Sequence, residues 1–296
     1  MELRDLKFFI RIVEKRSYTL AAESLYTTQP TLSKSIKKLE VLYGIPLLER
    51  STRHVHLTPE GKVIYEQAKK VMNEVHNISL IVEDLKNMHS GIIKIGIPPL
   101  IGTLFFPQLA KSFHAKYPNI HLELKERGAK LISTLVDHHE VNLGFVVLPA
   151  NEEIYHVQPF IQDEFVLFVH QHHPFANCDS ISILQLAQEK FILFSEEFTL
   201  HDFVLRACME QGFNANVVYK SSQWDLIVEL VALNLGITLL PRSIYEKQSN
   251  LDVVYVPLKE QLYWRLGIIT KKNTYIPLAV KEFLTFTKAY NQLALS

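Results

Sequence analysis

Residues 19–40 constrain the fold of this chain more than any other stretch, because they predict two short helices joined by a tight turn. Both halves repeat apolar residues at the spacing of one helix face: Leu20, Ala21 and Leu25, then Leu32, Ile36 and Leu39. Residues 26–28 break the pattern, and Thr28 or Gln29 is suited to cap the next helix. Pro30 is expected at the first helical position, where its missing N–H costs no hydrogen bond.

The outward face of the second predicted helix combines cations with small hydroxyl and amide groups. Lysines suit phosphates, and short polar side chains suit base edges in a groove of double-stranded DNA. We therefore predict that this face contacts DNA through Thr28, Gln29, Pro30, Thr31, Ser33, Lys34 and Lys37. The alternative is an ordinary amphipathic helix with a solvated basic face, so the flanking sequence has to decide.

Both flanks favour DNA binding. Residues 3–13 have the apolar spacing of a third helix ahead of the pair. Residues 43–58 predict a small β-ribbon with apolar ends and a basic tip. Such a ribbon beside a recognition helix is a wing, which reaches phosphates or the minor groove. Its tip carries two predicted phosphate contacts, Arg50 and Arg53.

A long series of spaced residues runs through this region: Phe9, Val13, Ser17–Thr19, Ala21, Ala22, Leu25, Thr28–Pro30, Leu32, Ser33, Ile36, Leu39, Glu40, Leu42, Gly44, Leu47, Arg50, Arg53, Leu57, Thr58 and Gly61. In type and spacing these residues closely resemble the N-terminal part of LysR-type transcriptional regulators. Two residues depart from the family pattern, since Arg16 stands where Gly is usual and Leu48 where Phe is common. The resemblance implies a winged helix-turn-helix over residues 1–58.

A long helix is expected to join this head to the rest of the chain. Thr58 is a plausible N-cap, followed by Pro59 and Glu60 in the first turn. Apolar residues then alternate in steps of four and three, as in a coiled coil: Ile64, Ala68, Val71, Val75, Ile78, Val82 and Leu85. We predict that residues 59–90 form a linker that pairs with a second copy of the chain, and that two dimers assemble into a tetramer. A single helix packed on its own domain is the alternative.

Residues 91–296 alternate strand and helix patterns, which predicts a parallel sheet with helices on both faces. A helix over about residues 100–116 is expected after the first strand. Two α/β sets with two crossovers resemble a periplasmic-binding-protein fold, as the family resemblance also implies. We place lobe I at residues 91–161 and 266–296, and lobe II at residues 162–265. A small molecule would bind between them, at the carboxyl ends of strands.

The predicted ligand contacts lie where strands end and helices begin. From lobe I we expect Pro99, Leu100, Gly102, Thr103, Arg127, Gly128 and Val147, and from lobe II Phe198, Leu200, Ser221, Ser222 and Trp224. Backbone N–H groups near Thr103 could hold an anion, with Arg127 as the nearby cation. Simple helix capping is the alternative for Thr103 and Ser222, a surface position for Arg127, and core or hinge packing for Trp224.

The body carries further motifs, at residues 96–107, 191–213, 221–225 and 240–242, that look like the CidR branch of the family. The branch implies control of genes for holin-like membrane proteins and overflow carbon metabolism. It also implies a small carboxylate effector, with acetate or pyruvate as candidates.

Charge and composition agree with a regulator. The net charge is zero, but residues 1–70 hold 13 Lys and Arg against 8 Asp and Glu, and the remainder holds 18 against 23. A basic head on an acidic body directs nucleic acid to one end. The two cysteines and the adjacent histidines at 138–139 and 170–173 lack the spacing of a metal site, and no cofactor motif is present.

We therefore expect a cytoplasmic protein with no membrane segment and no enzymatic activity. Two rival hypotheses are a solute-binding or sequestering module whose basic head serves assembly only, and an enzyme that uses the two-lobed cleft. The basic head argues against the first, and the absence of catalytic motifs argues against the second.

Overall fold

The computed structural model describes residues 1–49, 55–86, 91–248 and 250–294. The chain divides into two compact units, Met1–Lys86 and Asn87–Ser296. Each unit has its own hydrophobic core. The chain therefore consists of two separately packed parts.

The first unit begins with three helices, α1 (Leu3–Lys15), α2 (Tyr18–Ser24) and α3 (Gln29–Tyr43). Their inward faces form one core that includes Phe9, Ile12, Ala21, Leu32, Ile36 and Leu39. The apolar spacing in the sequence predicted these contacts, because residues three and four apart share a helix face. The expected helix-turn-helix with a preceding helix is confirmed.

A buried carboxylate ties α1 to α3. The Ser35 hydroxyl donates a hydrogen bond of 2.7 Å to Asp5 Oδ1, and Lys38 Nζ lies 3.2 Å from Asp5 Oδ2. Burial disfavours the charge on Asp5, but the hydrogen bonds from Ser35, the Glu2 N–H and Lys38 prevail and lower the pKa of this carboxyl. Lys38 also pairs with Glu2 at 2.9 Å. Its ammonium is therefore held towards α1.

The base of the predicted wing is present. Leu48 and Leu57 form an antiparallel bridge, and the Glu49 N–H donates to His56 O at 2.9 Å. The Glu40 carboxylate accepts hydrogen bonds from the N–H groups of Leu47 and Leu48, at 2.8 and 3.3 Å. This carboxylate fixes the ribbon to the end of α3. Arg50 and Arg53, at the tip, lie outside the described residues.

Helix α4 (Pro59–Lys86) leaves the wing, capped as predicted by Thr58, whose Oγ1 accepts from the Gly61 N–H at 2.8 Å. The first part of the predicted heptad seam does not face solvent, because Ala68 is buried in the core of the first unit and Ile64 packs against it. The second part is open: Val71, Ile78, Val82 and Leu85 are 39%, 62%, 42% and 71% exposed. The first apolar residues of the seam therefore pack in the head, whereas these later ones are exposed in the single chain.

The second unit is built on a mixed sheet, in the order β2-β1-β3-β9-β4-β7, with β8 also paired to β4. Its strands are β1 (Gly91–Ile97), β2 (Ile120–Glu126), β3 (Leu143–Val147), β4 (Tyr155–His170), β7 (Thr238–Pro241), β8 (Val253–Pro257) and β9 (Tyr263–Lys271). β5 (Lys190–Phe194) and β6 (Asn216–Ser221) pair separately and in parallel. The expectation of a parallel sheet is right for β1 with β2 and β3 and wrong for β4 and β9, which run antiparallel.

The helices cover these sheets much as the alternating pattern predicted. They are α5 (Pro99–Leu104), α6 (Phe106–Lys116), α7 (Ala129–Asp137), α8 (Thr199–Glu210), α9 (Trp224–Ala232), α10 (Arg242–Lys247) and α11 (Leu278–Ala294), with a 3-10 helix at Ile183–Leu186. The single helix expected over residues 100–116 is wrong, because the chain breaks at Phe105 ahead of Pro107. A proline in the first turn starts a new helix there.

β4 is the strand that divides the second unit into two halves. From Tyr155 to Glu164 it pairs with β9, and from Phe165 to His170 it pairs with β7 and β8. Strands β1, β2 and β3 continue the sheet on the side of the first half of β4. The β5–β6 pair joins the side of the second half through the bridge between Phe191 and Ile237. Two α/β lobes joined at shared strands result, as expected for a periplasmic-binding-protein-like fold.

Candidate DNA-binding surface and ligand cleft

The predicted DNA contacts on α3 share one solvent-facing surface. Leu32, Ile36 and Leu39 are buried at the opposite side, so the helix has a packed face and a polar face. All seven described members of the predicted set are exposed: Thr28, Gln29, Pro30, Thr31, Ser33, Lys34 and Lys37. We call this set the recognition surface. Its exposed hydroxyl, amide and ammonium groups can reach base edges and phosphates together.

The amino end of α3 is built from the residues that the sequence indicated. Thr28 is the N-cap, but its side chain makes no capping hydrogen bond and instead lies 2.9 Å from the Thr31 hydroxyl. The helix starts at Gln29, so Pro30 stands one position later than expected. The N–H groups of this first turn are not used by side-chain caps, which leaves a positive helix end at the recognition surface.

The carboxyl ends of the strands in each lobe lie side by side. In lobe I the Arg127 N–H donates to Ile97 O at 3.3 Å, which joins the end of β2 to the end of β1. In lobe II the Ser195 N–H donates to Ser221 O at 2.9 Å, which joins the end of β5 to the end of β6. The predicted ligand contacts therefore form one group within each lobe.

Lys130 brings the two groups together. Its Nζ lies 3.1 Å from Asp202 Oδ2 and donates to Glu196 O at 3.3 Å, so α7 of lobe I contacts the start of α8 in lobe II. Lys130 thus brings the turn at 126–130 against the segment at 195–202, and we call the space bordered by these two segments and by the turns at 97–103 and 221–224 the interlobe cleft. Lys130 was missed by sequence analysis, since its partners are far away along the chain.

The predicted ligand contacts differ in how far they are exposed. Five are exposed, namely Pro99, Thr103, Arg127, Gly128 and Ser222; four are half-buried, namely Gly102, Val147, Phe198 and Trp224; and three are buried, namely Leu100, Leu200 and Ser221. The side chains of Leu100 and Leu200 belong to the hydrophobic core. Half-buried Trp224 also packs against the core.

Hydrogen bonds bear on the alternatives for individual positions. Thr103 lies near the carboxyl end of α5 and Ser222 precedes the N-cap Gln223, so neither is the N-cap residue of its helix. The Ser221 hydroxyl instead accepts from the Gln223 N–H at 3.0 Å. Arg127 is on the surface, where its guanidinium donates to Glu126 O at 2.7 Å.

Charged groups cluster at the lobe II side of the cleft. Glu196 Oε1 lies 2.6 Å from Lys220 Nζ, and the hydrogen bond and charge of Lys220 lower the pKa of this exposed carboxyl. His201 is buried, with its Nδ1 2.7 Å from Phe194 O, so this ring nitrogen donates to the strand. The histidine holds the start of α8 against β5.

The cysteines and histidines form no reactive centre in the part of the chain that the structure describes. Cys208 is buried, and loss of hydration raises the pKa of its thiol to about 11. His170 Nδ1 accepts from the His172 N–H, and His173 faces Glu189 at 3.5 Å. No group of three or more potential metal ligands occurs among the described residues. Within the same ranges, no helix has both the length and the apolar character needed to cross a membrane.

Comparisons with known proteins agree with this architecture. Residues 3–62 match the bacterial regulatory helix-turn-helix protein family of LysR type, and residues 86–292 match the LysR substrate binding domain. YwbI of Bacillus subtilis, an uncharacterized HTH-type transcriptional regulator, is 37% identical over 98% of this chain and 97% of its own. The dual regulator OxyR of Escherichia coli K12 is 29% identical over 93% and 90%.

Solved structures give the same result. Full-length OxyR from Pseudomonas aeruginosa, with one cysteine replaced by aspartate, superposes with a TM-score of 0.69 at 26% identity and covers 97% of this chain and 95% of that one. Full-length BenM superposes with a TM-score of 0.64 at 25% identity, over 99% and 98%. These relatives are transcription regulators and not enzymes. The chain belongs to the LysR family of DNA-binding transcription regulators, with a helix-turn-helix head and a ligand-binding domain.

Proposed function

We propose that this regulator reads a two-half-site operator through the recognition surface and is controlled by a small carboxylate in the interlobe cleft. The proposal of DNA binding rests on one observation. Every described residue of the recognition surface is exposed, whereas the opposite side of α3 is buried. Gln29, Pro30, Ser33 and Lys34 meet base edges and nearby backbone, with Thr28 and Thr31 beside them. Lys37, Arg50 and Arg53 contact phosphates, where one Lys or Arg neutralises one charge.

Two copies of α4 would set the spacing of the half-sites. Paired recognition helices read sites separated by one or more helical turns of DNA, so a dimer through the open part of the seam suits a family of oligomeric regulators. Two such dimers would form a tetramer. Because this assembly acts on DNA, we place the protein in the cytoplasm.

Two cations of lobe I support a carboxylate effector. Arg127 and Lys130 are exposed cations of lobe I at the cleft, and Lys130 pairs with an exposed carboxylate and a backbone carbonyl of an exposed residue. Exposed ion pairs of this kind contribute little to stability. Another anion can therefore replace the carboxylate beside Lys130 at little cost. Acetate and pyruvate are the candidates, and CidR-like control of holin-like and overflow-metabolism genes is the corresponding role. Binding would change the relative position of the paired heads, without any chemical reaction.

One experiment tests both parts of this proposal: recovery of genomic DNA fragments bound to the purified full-length protein, with and without acetate or pyruvate. We expect enrichment of a two-half-site sequence near particular promoters, and a change in that enrichment with one acid. Enrichment that neither acid changes would contradict the carboxylate effector alone. Recovery no better than sheared background would contradict operator binding and restore the solute-binding alternative.

Substitutions on the recognition surface are the controls for that experiment. Ser33→Ala or Gln29→Ala should lose discrimination between operator and unrelated DNA, by about 1–3 kcal/mol per lost base contact. Lys37→Ala should weaken binding to all DNA and reduce the salt dependence by about one phosphate. Equal operator affinity in all three variants and the wild type would contradict this docking.

Peroxide sensing is a second candidate function, because several relatives are named as hydrogen peroxide-inducible genes activators. Peroxide reacts with thiolates. Burial raises the pKa of the Cys208 thiol to about 11, so this thiol stays protonated at neutral pH and is a poor target for peroxide. Cys178 is exposed but lies in a loop, with its N–H bonded to Phe175 O.

We therefore expect peroxide to leave operator affinity unchanged. The measurement is a DNA titration before and after treatment with hydrogen peroxide, for the wild type and for Cys178→Ser and Cys208→Ser. A peroxide response of the wild type that is absent from Cys208→Ser would make this protein a peroxide sensor despite the raised pKa.

A further inference from the structure

Tyr26 combines two features that are costly for a tyrosine. It lies in the turn between α2 and α3 with φ +50°, in the left-handed region, and its side chain is 99% exposed. A bulky residue in this region is strained, whereas glycine adopts it freely. An aromatic ring that stays in water also contributes no hydrophobic stabilisation, because its surface is not buried. Neither folding nor packing explains a tyrosine here.

The turn fixes the backbone at Tyr26. Its own N–H donates to Glu23 O at 3.2 Å, and the Thr27 N–H donates to Ala22 O at 3.0 Å. These bonds involve only main-chain atoms, so glycine or asparagine would keep them. The side chain is thereby directed into solvent from a rigid turn. Strained positions of this kind concentrate at functional sites.

The position of the turn indicates what the ring meets. Tyr26 precedes Thr28 and Gln29 and stands at the end of α3 where the recognition surface begins. A helix that enters the major groove with its amino end brings the preceding turn to the rim of the groove, where the sugar-phosphate backbone runs. A phenol offers an O–H donor for a phosphate oxygen and a ring face for a sugar.

We propose that Tyr26 is a further DNA-contacting residue, which donates its hydroxyl to a phosphate beside the groove entered by α3. The inference rests on the proposed docking of the recognition surface. An uncharged donor releases no counterion, so its loss weakens binding to all sequences without changing the salt dependence. Lys37 differs in this respect, because removing a cation lowers the salt dependence as well.

The test compares Tyr26→Phe and Tyr26→Gly with the wild-type full-length chain. We expect Tyr26→Phe to lower affinity for operator and unrelated DNA about tenfold alike, the effect of losing a hydrogen bond to a charged group. Tyr26→Gly should lose at least as much affinity while unfolding at a higher denaturant concentration, because glycine relieves the strained turn. Asn234→Gly is the matched control, since Asn234 is also left-handed (φ +55°) but lies in the other unit.

The control should bind DNA as the wild type does. The inference is overturned if both Tyr26 variants bind as tightly as the wild type. It is also overturned if Tyr26→Gly loses affinity together with stability, because that result indicates a structural role. A wild-type chain that binds no operator would overturn the docking and this inference together, whereas tight wild-type binding with unaffected variants would overturn the inference alone.

Discussion

Ile78→Asp is expected to separate the dimer that we propose for α4 and to abolish tight operator binding. The Ile78 side chain is 62% exposed in the single chain, on the same stripe as Val71, Val82 and Leu85. Such a stripe on a helix with charged neighbours is stable when a second helix covers it. A carboxylate at its centre would be buried without a partner in the dimer, which is costly.

The expected effect on DNA binding follows from linkage of the two heads. A second head held near its half-site binds at high effective concentration, and losing it lowers affinity by about 10²–10⁴-fold. Sedimentation should show an assembly of half the wild-type mass, and a DNA titration should show the loss of affinity.

Ser79→Asp is the matched control, because it adds the same charge one residue away and off the heptad stripe. Ser79 is exposed and donates to Val75 O at 3.4 Å. This variant should keep the wild-type mass and affinity. If Ile78→Asp also kept both, the open face of α4 would not be the contact between copies.

The two halves of the heptad seam differ, and the difference shows what an apolar period can and cannot predict. The spacing from Ile64 to Leu85 correctly predicts a long helix with one apolar side. It does not distinguish a partner helix from the protein's own core, since both bury apolar residues at the same period. Ala68 is buried in the head, whereas Ile78 is open. The three-dimensional packing of the head determines which residues of the seam are buried.

The helices of the head could be predicted because their signals are local. Buried Leu32, Ile36 and Leu39 and the Thr58 cap are set by neighbours within a few residues. The first half of β4 is harder to predict from the sequence than the second half. Pro159 cannot donate to a sheet and stands beside a register shift, so the sequence there lacks a regular strand pattern.

The cleft depends on contacts between segments that are far apart along the chain. Such contacts are harder to predict, because they have no local sequence pattern. The strand ends predict which turns line it, because parallel strands end at the same edge of a sheet. Lys130 and Asp202 are separated by 72 residues, and an exposed ion pair between such positions has no local pattern. Leu100 and Leu200 were predicted as ligand contacts from their turns, but their side chains lie in the core.

Gly61→Ala is the substitution expected to destabilise the first unit most. A Cβ at Gly61 would lie 2.0 Å from Leu47 O, closer than any side chain tolerates. That carbonyl cannot easily move, because it accepts from the Thr58 N–H at 3.2 Å while the Leu47 N–H is held by Glu40. Either the start of α4 or the base of the wing has to shift. We expect a loss of about 3 kcal/mol in the free energy of unfolding, from overpacking and a weakened Thr58 cap.

Two signals can assign this loss to the correct unit. Both tryptophans of the chain, Trp224 and Trp264, lie in the second unit, so their fluorescence follows that unit alone. In a denaturant titration, Gly61→Ala should leave the tryptophan transition in place and move the helical circular dichroism signal of the head to lower denaturant. Lys62→Ala, at the next and exposed position, should change the free energy of unfolding by no more than about 0.5 kcal/mol.

The same variant tests how the wing and α4 are coupled. Glycine at position 61 allows the wing base and the first turn of α4 to share the Leu47 carbonyl and the Thr58 hydroxyl. A larger residue there should disturb the wing base and the helix start at once. Operator affinity should therefore fall together with the stability of the head. A Gly61→Ala protein with unchanged head stability would show that the ribbon can yield at Leu47. The close approach would then be incidental to the fold.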